Sequence, residues 1–190
     1  MARQKGPDMK NSFAHGVLML ALALPGAALA STNSGIDNAG TVVAIALPVA
    51  AAGISGWKED WVGLGDVTFE TGAAVGTALL LKQFVREKRP DGSDFHSFPS
   101  DQAALAFTPA FYLWDRYGWE YGAPALAAAT FVGFARVDSK EHHWWDVATS
   151  AVIGLGYDKL VTTKFYPSEN VYTGISATTK GGFVSFNYRF

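Results

Sequence analysis

The chain has 190 residues, 49% of them hydrophobic and 17% charged, with a formal net charge of −2 and no cysteine. That length suits one domain with a sizeable core and is short for two. The near-neutral charge excludes an electrostatic footprint for nucleic acid, and the missing cysteine excludes disulfides, thiolate nucleophiles and cysteine-ligated metals. Charged residues fall below the roughly 25% usual in soluble proteins, which leaves few to cover a water-facing surface.

In chain order, Arg3, Lys5 and Lys10 precede a short apolar run, Gly16 to Leu24, and the small residues Ala28 and Ala30. This pattern predicts an export signal over residues 1–30, cleaved before Ser31; an uncleaved first membrane helix is the alternative. Residues 31–40 read as a loose polar start. Thr41 to Ile54 carries no charge and, with its flanks, reaches the short limit of a bilayer span. Trp57 to Trp61 is a charged aromatic turn. A helix is expected over residues 67–85, rich in small residues and ended by Arg89-Pro90, because the residue before proline avoids helical geometry.

Ser100 is a candidate N-cap for a helix over residues 101–117, with Asp101 in its first turn. Asp115 to Glu120 makes a second charged turn, and a nearly uncharged helix is expected over residues 121–134. A last helix over residues 142–160 would set His142 and Asp146 on one face. The tail, residues 167–190, differs in kind. Its imperfect alternation after Gly181-Gly182 predicts a short strand or hairpin.

The residues able to do phosphate chemistry are confined to the stretch from Lys82 to Asp146. The guanidinium groups of Arg89 and Arg136 can donate parallel hydrogen bonds to the oxygens of a phosphoryl group, and Lys82 can add a point charge. Ser100 and the amides after it stand at a helix start, where an anion is favoured. His142 is the strongest available nucleophile, and Asp146 can hold its ring. Each residue also has a plainer role: the cations as rim residues, Ser100 as a cap, and His142 with Asp146 as a helix-surface hydrogen bond.

Together these segments resemble the type 2 phosphatidic acid phosphatase superfamily. Lys82, six residues, then Arg89-Pro90 matches its first motif. Pro99-Ser100-Asp101-Gln102 matches part of the second, Pro-Ser-Gly-His. Arg136, five residues, His142, three residues and Asp146 match the third apart from its leading serine. The resemblance implies an all-α helical bundle of about five membrane-spanning helices after the signal peptide, forming a domain over residues 31–166. It also implies that Lys82, Arg89, Ser100, the amide of Asp101 and Arg136 hold phosphoryl oxygens. His142, oriented by Asp146, would attack phosphorus to form a phosphohistidine, which water then hydrolyses.

The family's phosphatases need no metal or other cofactor. Gln102 departs from the pattern, because it replaces a histidine that protonates the leaving oxygen. Loss of a general acid costs about 10²–10⁴-fold, least for a stable leaving group such as a pyrophosphate.

The expectation is a bacterial inner-membrane phosphatase with its site facing the periplasm, acting on a lipid phosphate or lipid pyrophosphate. Phosphatidic acid, phosphatidylglycerol phosphate, lipid A and undecaprenyl pyrophosphate are all compatible, with Asp101 tilting the expectation slightly toward lipid pyrophosphates, and the sequence is silent on oligomeric state. The alternatives are a soluble periplasmic acid phosphatase, a non-catalytic membrane protein that binds lipid phosphate, and a vanadate-dependent haloperoxidase.

Overall fold

The computed structural model describes residues 33–166, 171–178 and 181–188. The expected signal peptide lies outside them. Among the described residues five helices form a bundle: α1 (Asn33–Trp57), α2 (Trp61–Phe84), α3 (Asp101–Tyr117), α4 (Trp119–Asp138) and α5 (Trp144–Val161). Two strands, β1 (Val171–Thr178) and β2 (Gly181–Tyr188), follow as an antiparallel hairpin, in register from Val171 opposite Tyr188 to Thr178 opposite Gly181.

Local chemistry sets several of the ends. The Asp60 carboxylate accepts the amide of Gly63 at 2.9 Å and starts α2. Ser100 Oγ accepts the amide of Ala103 at 3.3 Å and starts α3. At α5 the Asp146 carboxylate takes the His143 amide at 2.8 Å, one half of a capping box. Helix α2 stops at Phe84, six residues before Pro90, because Val85 turns to extended backbone while its amide still donates to Leu81. The chain from Arg86 to Ser97 is therefore a loop rather than more helix. It folds back on itself through Arg89 N–H to Asp94 C=O and Ser97 N–H to Glu87 C=O, both at 3.0 Å.

Helix α1 begins at Asn33, so the expected loose start is helical from there on. Its inner face supplies Val43, Leu47, Ala51 and Ile54 to a core shared with Val67, Tyr112, Leu113 and Val132. Small residues bring the helices close. Ala74, Ala78 and Ala104 join α2 to α3, and Gly122 lies so near Trp114 that an added Cβ would sit 2.4 Å from its Cα.

The expectation of about five membrane-spanning helices is corrected. Among the described residues one helix, over Gly35–Trp57, has the length and mean hydropathy (1.8) to cross a bilayer. The others are interrupted by ionisable groups: Asp66, Glu70 and Lys82 in α2, Asp115 and Arg116 in α3, Glu120 and Arg136 in α4, Asp146 and Asp158 in α5. Several of these are buried against neighbouring helices. Short apolar stretches between turns gave the appearance of spans, but their inner faces are Ala-rich and polar.

The alternating course of the helices gathers the start of α1, the end of α2, the start of α3, the end of α4 and the approach to α5 at one end of the bundle. The opposite end is held by a second polar network. Arg116 makes a two-pronged pair with Asp60 at 2.6 and 2.7 Å, Tyr117 donates to Asp60 at 2.8 Å, and Arg116 also reaches the carbonyl of Thr163 at 2.7 Å.

Candidate active site

His142 precedes α5 instead of lying on it. Its ring is 2% exposed, and Nδ1 lies 2.6 Å from the backbone carbonyl of Ser97. A carbonyl can only accept, so Nδ1 carries the hydrogen and the neutral ring keeps its lone pair on Nε2. Asp146 Oδ2 is farther from the same Nδ1, at 3.6 Å. The carboxylate thus lies beside the ring as a neighbouring charge, while the loop backbone makes the hydrogen bond that the sequence assigns to Asp146. Ser97 serves both groups, because its hydroxyl donates to Asp146 Oδ2 at 2.5 Å. Burial alone would raise the Asp146 pKa. The neighbouring His142, the Ser97 hydroxyl and the His143 amide outweigh it and hold the carboxyl well below its usual range.

The two arginines meet. Arg89 reaches Oε2 of Glu141 at 3.3 Å, and Arg136 reaches the same atom at 3.4 Å. One oxygen-bearing group can therefore engage both guanidiniums. The loop holds Arg89 through its Nε bond to Asp94 at 2.9 Å, and the Asp91 amide ties that loop to the carbonyl of Lys140 at 3.0 Å. Arg136 is 1% exposed. It donates to Gln102 Oε1 at 2.5 Å and pairs with Asp37 at 2.7 Å, and its Nε has no partner.

Gln102 is thus bound to Arg136 through its carbonyl oxygen, with its amide nitrogen 3.5 Å from Thr41 Oγ1. It offers no titratable proton.

Lys82, buried at the end of α2, is joined to the Asp101 carboxylate. Burial raises the Asp101 pKa, but the ammonium overrides it and the carboxyl titrates below its normal value. The structure therefore couples Lys82 to Asp101, whereas Arg89 and Arg136 share Glu141. Ser100 is fully buried, and its amide approaches the Asp146 carbonyl at 3.5 Å, which sets the start of α3 against α5. His96 stands apart, half exposed and 3.7 Å from Asp94. Ser97, Asp37, Asp94 and Glu141 are the participants that motif reading passes over. The one sequence signal among them is that Glu141 directly precedes His142.

Glu87, His143 and Asp146 bring one donor atom each within 4.8 Å of one another, the grouping among the described residues best placed for a metal ion. The His143 ring stacks on Trp145 at 4.3 Å, and Trp145 Nε1 donates to Glu87 at 2.8 Å. Asp146 Oδ2 is already occupied by Ser97 and by the His143 amide, which leaves a hydrogen-bonded cluster as the simpler account.

A histidine whose Nδ1–H is tied to a carbonyl, directly after a glutamate on which two arginines converge, is an arrangement suited to receiving a phosphoryl group. The sequence profile described as the PAP2 superfamily matches residues 64–169, more than half of the chain. The chain belongs to the PAP2 superfamily. It is 28% identical over 158 residues to the Lipid A 4'-phosphatase of Helicobacter pylori strain J99, covering 75% of this chain and 80% of that one. It is 29% identical over 133 residues to the Lipid A 1-phosphatase of Porphyromonas gingivalis, covering 66% of this chain and 29% of that longer protein. No solved structure matches. The chain carries Gln102 after Pro99-Ser100-Asp101, and its arginine pair is bridged by Glu141.

Proposed function

We propose that the protein is a phosphatase that removes a terminal phosphate from a lipid. The convergence of Arg89 and Arg136 on a single atom of Glu141, the residue before a His142 whose Nδ1 is fixed by Ser97, is the observation that carries this reading. Phosphoryl oxygens take the place of the Glu141 carboxylate on the guanidiniums. The lone pair of His142 Nε2 attacks phosphorus, the bond to the lipid oxygen breaks, and that oxygen takes its proton from solvent. In the phosphohistidine the Nδ1–H remains on the Ser97 carbonyl, and the positive ring is stabilised by the Asp146 carboxylate. Water attacks phosphorus in the second step, restoring the imidazole and releasing phosphate. Gln102 positions Arg136 and takes no part in proton transfer.

The names of both relatives support a lipid-borne phosphate as the substrate. So do apolar side chains left exposed on α1 (Ile45, Val49), α2 (Phe69, Leu80, Phe84) and α5 (Val152, Leu160), the composition of a chain in contact with lipid. We place the protein at a bacterial membrane, with the site toward the periplasm. A second reading, a non-catalytic lipid-phosphate binder, is favoured by Gln102 alone.

Hydrolysis of a panel of lipid phosphates and pyrophosphates by purified protein, beside Gln102→His and His142→Ala, decides between them. The enzyme reading expects turnover that disappears in His142→Ala and rises in Gln102→His, by up to about 10²-fold for poor leaving groups. Wild type and Gln102→His that bind the lipids and release no phosphate would establish the binder.

A further inference from the structure

The site holds an anion of its own. Glu141 Oε2 lies 3.3 Å from Arg89 and 3.4 Å from Arg136, so the chain's own carboxylate stands where the arginines would grip a phosphoryl oxygen. We infer that Glu141 is a specificity-determining residue: its carboxylate must be displaced by the ligand, and it thereby selects dianionic terminal phosphates over singly charged phosphodiesters. The inference deepens the proposed function and rests on its reading of the two arginines as phosphoryl-binding groups.

Displacement is structurally available. The Glu141 side chain is 32% exposed and has solvent to move into. Its backbone is held independently, since the amides of Glu141 and His142 both donate to the Arg136 carbonyl at 3.2 Å. The carboxylate can therefore leave while the His142 backbone stays anchored. The arginines also keep their places, because each has a second carboxylate on a different nitrogen: Asp94 on Arg89 Nε and Asp37 on Arg136 Nη2. What Glu141 vacates is Nη1 of Arg89 and a second position on Nη1 of Arg136, which stays bonded to Gln102 Oε1 at 2.5 Å.

The selection follows from charge and oxygen count. A phosphodiester brings one negative charge and two free oxygens. Exchanging it for a carboxylate replaces one monoanion by another on the same two donors, with little net gain. A terminal phosphate brings a second charge and a third oxygen. Two guanidiniums side by side reward that second charge, which neither the carboxylate nor a phosphodiester can supply.

The test is calorimetric binding of inorganic phosphate, at a pH where it is the dianion, and of dimethyl phosphate. The titrations use wild type, Glu141→Gln, Glu141→Asp and, as a control, Arg136→Ala. Wild type should prefer phosphate strongly. Glu141→Gln should bind both ions more tightly and gain most for dimethyl phosphate, reducing the preference by about tenfold as the competing state is removed. Glu141→Asp, which keeps the charge on a shorter stem, should shift the same way by less and guards against a folding defect in the first variant. Affinities in Glu141→Gln within about twofold of wild type, or weaker, would overturn the role of Glu141 while leaving phosphoryl binding intact. Phosphate binding that is absent from wild type, or undiminished in Arg136→Ala, would overturn the phosphoryl-site reading itself and this inference with it.

Discussion

Replacing Ser97 by alanine separates two functions that the residue combines. Its carbonyl, which holds His142 Nδ1 at 2.6 Å, survives the substitution, whereas the hydroxyl donated to Asp146 at 2.5 Å is lost. Asp146 is fully buried and its Oδ1 already lacks a partner, so the remaining oxygen cannot recover the bond from water. A hydrogen bond to a charged group contributes about 1.5–3 kcal/mol. For a chain of this size that is a fall in Tm of roughly 3–12 °C. The pH dependence should change as well. Because its folded-state pKa is depressed, Asp146 contributes stability that is full above its ordinary value of 3.8 and is lost as pH falls toward about 2. Without the hydroxyl the folded pKa rises, and the acid-side fall becomes shallower and ends at higher pH. Thermal melts of wild type and Ser97→Ala across the acid range read both effects. Superimposable curves would refute the claim that this hydroxyl keeps Asp146 ionised beside the ring.

Other substitutions test the frame around the site. Arg116→Ala strands the buried Asp60 carboxylate at the far end of the bundle and should cost about 3–5 kcal/mol in denaturant unfolding, with the activity of the folded fraction unchanged. Gly40→Ala would place a Cβ 2.7 Å from Ala135 Cβ and 3.0 Å from the Arg136 guanidinium. It should displace that arginine and lower turnover by on the order of ten- to hundredfold, read as a fall in kcat/KM. Glu70 is fully buried on α2, and burial, helped by Asp158, raises its pKa to about 8 despite the Thr162 hydrogen bond. The folded chain then holds a proton that the unfolded chain has released, so stability should fall as pH rises from 4.5 toward about 8. Glu70→Gln, which resembles the protonated acid, should flatten that decline in thermal melts.

What the sequence made legible was local. Ser100 followed by Asp101 is a strong helix start, and the helix it predicts over residues 101–117 coincides with α3 because the cap and the terminating Gly118 are both encoded nearby. The resemblance carried by Lys82, Arg89, Arg136 and His142 implies one shared anion site, and Arg89 and Arg136 do meet on Glu141. Contacts formed by the tertiary fold were not legible. The carbonyl that holds His142 belongs to Ser97 and has no side-chain signature. The start of α1 reads as loose polar chain, yet Asp37 there pairs with Arg136 on α4 across the bundle. The five expected spans failed for a related reason: Glu70, Lys82, Asp146 and Asp158 stand inside the helical pattern, buried by partners that hydropathy cannot see.

The central claim is that a phosphoryl group passes onto His142 between the two arginines. Rapid quench of the protein with a lipid phosphate, followed by peptide mass analysis under alkaline conditions that preserve phosphohistidine, tests it most directly. The account expects one added phosphoryl group on the peptide bearing His142, more abundant at early times and absent from Arg136→Ala. Phosphate release with no labelled histidine, or with the label on another residue, would contradict it.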